Sequence, residues 1–544
     1  MRAPVPNPVI ASSIILLFCV TAASAVHLPK PSIPHKDKTN SIKVNTDRGE
    51  IEGAYTADHQ VIAFKGIPYA APPVGDLRWQ PPQPAAKWKH VLVTREFGSH
   101  CIQSTSYPDM IFHDPGPSED CLTLNVWAPA KAKRGSLPVM VWIYGGSFLS
   151  GGTSEDRQDG QFLAHRNVVI VSMNYRLGIF GFFVHPELTA ESSHHASGNY
   201  GLLDQAAALK WVNANIAAFG GDPSNVTIFG ESAGSISVSA LMASPLARGF
   251  FTKAIGESGA AFSNSGLPTE TRESLEKRNL AFSQTAYNTS NLVDLRKLSA
   301  DQILNGVIAK TTPPPPRFSI SVDGYFLPDS VPNIYAAGHQ AHVPLLAGWN
   351  ADESRDQILL AKTPTTVDTF TAMVHTQFGD KASDFLAVYP ASTDTEAILS
   401  AGDFASDKFI AFSTWRWLES QVSTGQSLVY RYRLDLGSPG DKNHAAILGA
   451  FHSDDIEYVF GTLDSRPGAT WRPEDRKLSD QMGSYWTNFA RTGDPNGTGL
   501  PVWPTYNPKD GWQVMHLDAN SQAKPDAQRE RYLFLDSVWT KPVN

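Results

Sequence analysis

The chain has 544 residues, of which 42% are hydrophobic and 18% charged, and its formal net charge is −8. This length allows a large core, and the composition is that of a globular protein, not a disordered, fibrous or disulfide-dense one. A mildly acidic balance without a basic run leaves no electrostatic footprint for nucleic acid as a partner.

The first residues read as an export signal. Arg2 supplies the positive end, Val9 to Val20 a short apolar stretch, and Ala23-Ser24-Ala25 a small-x-small cleavage pattern. The stretch is too short to span a bilayer, and no other segment is long and apolar enough to do so. Phe18 before Cys19 is too bulky for lipoprotein cleavage. The segment from Val26 onward, rich in Pro, Lys and His, reads as a loose lead-in. The expectation is a signal peptide over 1–25, a flexible lead-in over 26–40 and one domain over 41–544, in a secreted or periplasmic protein. Export leaves two cysteines, Cys101 and Cys121. In an oxidising compartment such a pair reads as a disulfide closing one loop.

Along the mature chain, Ser41 to Phe64 reads as small antiparallel strands. Pro138 to Tyr144 is a continuous apolar run, as expected for a strand buried on both faces. Tyr144-Gly145-Gly146-Ser147-Phe148 follows it. Val168 to Asn174 is a second such run. Asp204 to Phe219 carries Ala207, Leu209, Trp211, Val212 and Ile216 at helical spacing. Val226 to Phe229 is a third strand, and it runs into Gly230-Glu231-Ser232-Ala233-Gly234, with a helix-compatible stretch from Ser237 to Met242 behind. Lys253 to Glu257 and Pro344 to Ala347 are short strand-like runs. Thr312 to Pro316, with four consecutive prolines, reads as a stiff surface loop within the domain. Strand and helix in alternation predict an α/β protein with a large, mostly parallel central sheet flanked by helices and a small N-terminal antiparallel sheet.

The G-x-S-x-G segment is the chemical focus. A serine on a sharp strand-to-helix turn exposes its Oγ, and the helix N-terminus aims N–H groups at charge developing beside it. A nucleophilic serine needs a base, a group to orient that base, and donors for an oxyanion. The Gly-Gly of Tyr144 to Phe148 lets backbone N–H groups approach a reacting carbonyl closely, and the N–H of Ala233 joins them. The base is His452, which follows an apolar stretch and comes after the serine and the acid, in the chain order of an α/β-hydrolase. For the acid, Asp352 and Glu353 both stand where the strand-like Pro344 to Ala347 ends, and either could reach the imidazole. Gly256-Glu257-Ser258-Gly259-Ala260 looks like a second elbow but lacks its last glycine. Ser258 therefore reads as a supporting hydrogen-bonding residue.

Together these residues resemble the type-B carboxylesterases, an α/β-hydrolase family that includes bacterial p-nitrobenzyl esterases, some lipases and the cholinesterases. Phe219-Gly220-Gly221-Asp222-Pro223 running on to Gly234 is similar to that family's serine signature, and Glu119 to Val126 to its second signature. Phe64 to Ala70, Asn174-Tyr175-Arg176, Gly201 to Gln205, Val322-Asp323-Gly324, Trp486 to Ala490 and Gly493-Asp494-Pro495 extend the likeness over about residues 42 to 536. The resemblance implies Ser232, Glu353 and His452 as catalytic residues, which sets Asp352 aside. It implies Gly146, Ser147 and Ala233 as oxyanion donors and a Cys101–Cys121 disulfide. Two departures stand out: Ser147 occupies the third glycine of the family's Y-G-G-G-F, and Ser354 the glycine after the acid.

The implied activity is hydrolysis of a small-molecule carboxylic ester through an acyl-enzyme, with no cofactor and no metal. Cholinesterase activity is disfavoured, because that branch holds choline on a tryptophan in the first disulfide loop, where this chain has Tyr107 and Phe112 but no tryptophan. A lipase for longer acyl chains is the alternative within the family, and a non-catalytic adhesion protein the alternative outside it. Pocket walls are expected from Phe148, Phe262 and Arg317. Exported esterases that remove polycarboxylate side chains from fumonisin mycotoxins form one branch of the resemblance. Such an acyl pocket calls for a basic residue, with Arg157, Arg317 and Arg355 as candidates.

Overall fold

The structure, a computed structural model, describes residues 41–104, 107, 109–262, 270–441 and 449–540. The expected export signal and lead-in lie outside these residues.

Among the described residues, thirteen strands join in one sheet. Its first members are β1 (Ser41–Asn45), β2 (Glu50–Tyr55), β3 (Val61–Pro68), β4 (Leu92–Val93), β5 (Thr123–Pro129), β6 (Leu137–Ile143) and β7 (Val169–Met173). The chain then adds β8 (Gly221–Glu231) and β9 (Lys253–Glu257), while β10 (Glu270–Thr271) and β11 (Ser321–Val322) form a separate ribbon. The sheet is completed by β12 (Leu345–Asn350), β13 (Val429–Leu434), β14 (Gln513–Leu517) and β15 (Gln522–Pro525). The spatial order is β1-β2-β3-β5-β7-β6-β8-β9-β12-β13-β14-β15, with β4 beside β2. From β7 across to β14 every neighbour is parallel.

The sheet follows the residue pattern. In β6 and β7 nearly every residue is buried, because helices cover both faces and no polar alternation is needed. The N-terminal strands are antiparallel as expected. They continue the main sheet instead of standing apart, because β3 pairs antiparallel with β5 from Val61 to Pro68. The helix predicted from Asp204 begins at Tyr200 and ends at Asn215, with a 3-10 turn over Ile216–Phe219. The strand before the elbow starts earlier than its apolar run, at Gly221. Among the described residues no helix is long and apolar enough to cross a membrane.

Topology decides where a site can form. From β6 the chain turns to β7 on one side, and from β8 it turns to β9 on the other. The loops leaving the carboxyl ends of these adjacent strands therefore diverge, which opens a crevice at that point. Those two loops are Tyr144 to Phe148 and the turn at Ser232.

Candidate active site

Ser232 stands between the last residue of β8 and the first of the helix Ala233–Ala243, with φ 55° and ψ −120°. That conformation is costly for a residue with a Cβ, so its surroundings must impose it. The Ser232 N–H donates to the Glu257 carbonyl on β9 at 2.8 Å, and the Ser232 carbonyl accepts from the Ile236 N–H at 2.9 Å. The flanking glycines answer to β6: a Cβ on Gly230 would stand 2.5 Å from the Ile143 carbonyl oxygen, and one on Gly234 only 1.9 Å from it.

The Ser232 Oγ lies 2.9 Å from His452 Nε2, and His452 Nδ1 lies 2.6 Å from Glu353 Oε2. A carboxylate only accepts, so Nδ1 carries a proton, and once the imidazole is neutral Nε2 is the nitrogen left to accept from the serine hydroxyl. The other oxygen of Glu353 accepts from the Asn350 N–H at 2.8 Å and from the Ser258 hydroxyl at 2.5 Å. Ser258 thus sits where the failed second elbow put it, beside the site. The loop bearing His452 is tied to the end of β12: the Asp352 N–H donates to the Ala450 carbonyl at 2.9 Å, and the Asn350 side-chain amide to the Phe451 carbonyl at 2.8 Å. Asp352 turns away from the imidazole and pairs with Arg355 at 2.6 Å.

Across the crevice, Gly146, Ser147 and Phe148 take φ of 96°, 62° and 60° in succession. This tight turn lets the Leu149 and Ser150 N–H groups return to the Gly146 carbonyl at 2.9 and 3.0 Å. A Cβ on Gly146 would meet the Ser150 carbonyl oxygen at 2.1 Å, so glycine is required there. Ala233 is the first residue of its helix, where the N–H has no intrahelical acceptor. The turn is laced to the loop closed by the Cys101–Cys121 disulfide, whose Cα atoms are 5.1 Å apart. The Gly151 N–H donates to Gln103 Oε1 at 2.8 Å, Gln103 Nε2 to the Gly151 carbonyl at 2.7 Å, and Ser150 Oγ to the Ser104 carbonyl at 2.8 Å. The Tyr107 and Ser147 hydroxyls meet at 2.7 Å. The serine in place of the family's glycine is therefore held by the disulfide loop.

The electrostatics are dominated by carboxylates. Burial pushes the His452 imidazole toward the neutral form, but Glu231 and Glu353 outweigh it and hold its pKa at about 9. Glu231 is itself raised by burial, against the pull of His452 and the Ser453 hydroxyl. Glu231 Oε1 accepts from Ser453 Oγ at 2.5 Å and lies 3.4 Å from His452 Nε2. Glu231 and Ser453 are site residues that the sequence alone does not mark. The only signal was their adjacency to Ser232 and His452.

The expected pocket residues fare differently. Phe148 is fully buried against Phe182, with ring centroids 5.0 Å apart, and Phe262 is buried against Tyr335 at 5.0 Å. Arg157 is engaged by Glu155 at 2.9 Å and Asp109 at 3.5 Å. Arg317 is exposed, yet the desolvation of its guanidinium by surrounding atoms pushes its pKa down, while Tyr107 nearby opposes that shift. A residue missed from sequence is Phe409, on a π-helical turn over Asp407–Ala411. Its ring stands edge-on to the His452 ring at 4.9 Å and is 38% exposed, so it forms part of the wall at the imidazole.

The family model described as the carboxylesterase family matches residues 40–535. Fumonisin B1 esterase of Sphingopyxis macrogoltabida is 36% identical over 499 residues, covering 87% of this chain and 87% of that protein. Para-nitrobenzyl esterase of Bacillus subtilis (strain 168) is 35% identical over 501 residues, covering 90% and 97%. Liver carboxylesterase 1 of Oryctolagus cuniculus is 34% identical over 542 residues, covering 92% and 93%. A solved PNB esterase structure superposes with a TM-score of 0.76 at 34% identity, over 91% of this chain and 99% of the other. A match of this length, on a sheet of this topology, means that the chain belongs to the carboxylesterase family and is a carboxylic ester hydrolase of the α/β-hydrolase fold.

Proposed function

We propose that the protein is an exported serine carboxylesterase whose single catalytic domain spans 41–544 and whose catalytic residues are Ser232, His452 and Glu353. The observation that carries this reading is the unbroken hydrogen-bonded line from Ser232 Oγ through both ring nitrogens of His452 to Glu353 Oε2, at 2.9 and 2.6 Å. Ser232 Oγ attacks the ester carbonyl while His452 Nε2 takes its proton. The N–H groups of Gly146, Ser147 and Ala233 hold the tetrahedral oxyanion, each contributing about 3 kcal/mol by the usual effect of such a donor. The imidazolium then protonates the leaving alcohol. Water attacks the acyl-enzyme with the same nitrogen as base, and Glu353 fixes the tautomer throughout.

Within carboxylic esters, the substrates we assign are bulky natural-product or xenobiotic esters. The similarity to a fumonisin B1 esterase makes fumonisin B1 one specific candidate. Arg317, whose charge interacts with Tyr107 beside the Ser147 turn, is the candidate cation for an anionic acyl group.

A p-nitrophenyl ester series from acetyl to palmitoyl, run with Ser232→Ala in parallel, tests the reading. Short-chain hydrolysis that falls by about 10⁴-fold or more in the variant is expected. Preference for long chains would move the assignment to lipase. Undiminished hydrolysis in Ser232→Ala would overturn it.

A further inference from the structure

Ser453 follows His452 and takes φ 68°, a left-handed backbone that favours glycine. A serine at such a position adds a hydroxyl donor that a glycine would lack. That hydroxyl donates to Glu231 Oε1 at 2.5 Å, across 222 residues of sequence, and Glu231 is the residue immediately before Ser232. The same Oε1 lies 3.4 Å from His452 Nε2, the nitrogen that also faces Ser232 Oγ at 2.9 Å. One carboxylate oxygen is thus shared between a neutral donor and the imidazole edge at which the proton moves.

From this geometry we infer that Ser453 is a positioning residue, which fixes the Glu231 carboxylate as a second anionic partner of His452. The inference rests on the reading of Ser232, His452 and Glu353 given above. Glu231 is 2% exposed, so its ionised form depends on the donors and cations it meets. It meets the Ser453 hydroxyl, the His452 ring and the field of Arg157, with Glu353 opposing. His452 in turn faces Glu231 from the elbow, Glu353 from the end of β12, Asp455 from its own loop and the uncharged Phe409 ring from the π-helical turn. Removing the Ser453 hydroxyl takes a donor from ionised Glu231, which then holds a proton more readily. Less negative charge beside His452 lets the imidazolium lose its proton at lower pH. The acid limb of kcat/KM, which reports the free enzyme's base, therefore moves down.

The test uses the full chain and p-nitrophenyl acetate, with rates followed by pH-stat from pH 5 to 10 in wild type, Ser453→Gly, Ser453→Ala, Glu231→Gln and Glu231→Gln with Ser453→Gly. Ser453→Gly relaxes the backbone and Ser453→Ala keeps its strain, yet both lack the hydroxyl. Both are expected to move the acid limb down by the same amount, about half a unit or more, or about threefold in relative rate on that limb. Glu231→Gln moves it in the same direction, and adding Ser453→Gly moves it no further. The inference is overturned if the limb stays within about 0.2 unit in both serine variants, if it rises, or if Ser453→Gly still shifts it in the Glu231→Gln background. Ser232→Ala separates the two levels. Its loss of hydrolysis supports the catalytic reading whatever Ser453 does, and retained hydrolysis removes the ground for both.

Discussion

Replacing both Cys101 and Cys121 by serine separates the disulfide's effect on the whole fold from its effect on the crevice. The bond closes a loop with a sequence separation of 20. In the chain-entropy treatment a loop of that size constrains the unfolded state by about 3 kcal/mol. Unfolding entropy of about 2.1 cal/mol/K per residue, over roughly 500 residues, comes to about 1 kcal/mol/K, so the global Tm should fall by only about 3 °C. The local effect should be larger. The loop lends the Ser147 turn its contacts through Gln103, Ser104 and Tyr107, and an unlinked loop samples open states in which that turn loses them. One misplaced oxyanion donor costs about 3 kcal/mol of transition-state stabilisation, so kcat should fall by about tenfold once open states hold about nine-tenths of the population. Thermal melts and Michaelis–Menten analysis on p-nitrophenyl acetate at 25 °C measure both. Unchanged kcat with a lowered Tm would refute the coupling, and a Tm loss beyond about 10 °C would refute the loop-entropy estimate.

Gly234→Ala should abolish soluble, active protein, because its Cβ would stand 1.9 Å from the Ile143 carbonyl oxygen and neither backbone can yield; a folded variant with wild-type kcat would contradict this. Asp526→Asn should cost about 3–5 kcal/mol in urea unfolding, since among the described residues it leaves the buried Arg431 cation against the faces of Trp349, Tyr506 and Tyr532 at 4.2, 5.4 and 5.6 Å. Adding Arg431→Met should restore much of the loss. The pKa of His452, held at about 9 by Glu231 and Glu353 against burial, sets two pH dependences. kcat/KM should climb from neutral pH toward about 9. The stability that imidazolium contributes should be fully present below its ordinary value of 6.5 and vanish as pH rises through about 9, so the gap between wild type and His452→Phe in denaturation midpoint should narrow over that range. A flat gap would contradict it.

Much of the sheet's centre is legible as text, since strands buried on both faces must be written as apolar runs, and β6 and β7 are. The strand β13 is not, because it reads Val-Tyr-Arg-Tyr-Arg-Leu. Its central Arg431 is 1% exposed, and only the fold supplies the Asp526 carboxylate and the aromatic faces that make that tolerable. The turn at Ser232 is legible because two glycines are forced by the close approach of β6. Asp352 and Glu353 are indistinguishable as residue types. What separates them is the direction each side chain takes, toward Arg355 or toward His452. The pairing of Tyr107 with Ser147 and of Ser453 with Glu231 is silent in the sequence, for hydroxyl contacts leave no periodicity and span 40 and 222 residues.

Four serines take left-handed φ around one crevice: Ser147 at 62°, Ser232 at 55°, Ser258 at 54° and Ser453 at 68°. Each such residue stores on the order of 1–3 kcal/mol that a glycine would release. Some of the molecule's targets for heat-hardening therefore coincide with its working parts. A screen that rewarded only survival at high temperature would drift toward glycine at these positions, and would return a sturdier protein with a blunted crevice. Screening for retained turnover after heating, in contrast, should leave all four serines in place and collect its gains elsewhere in the chain.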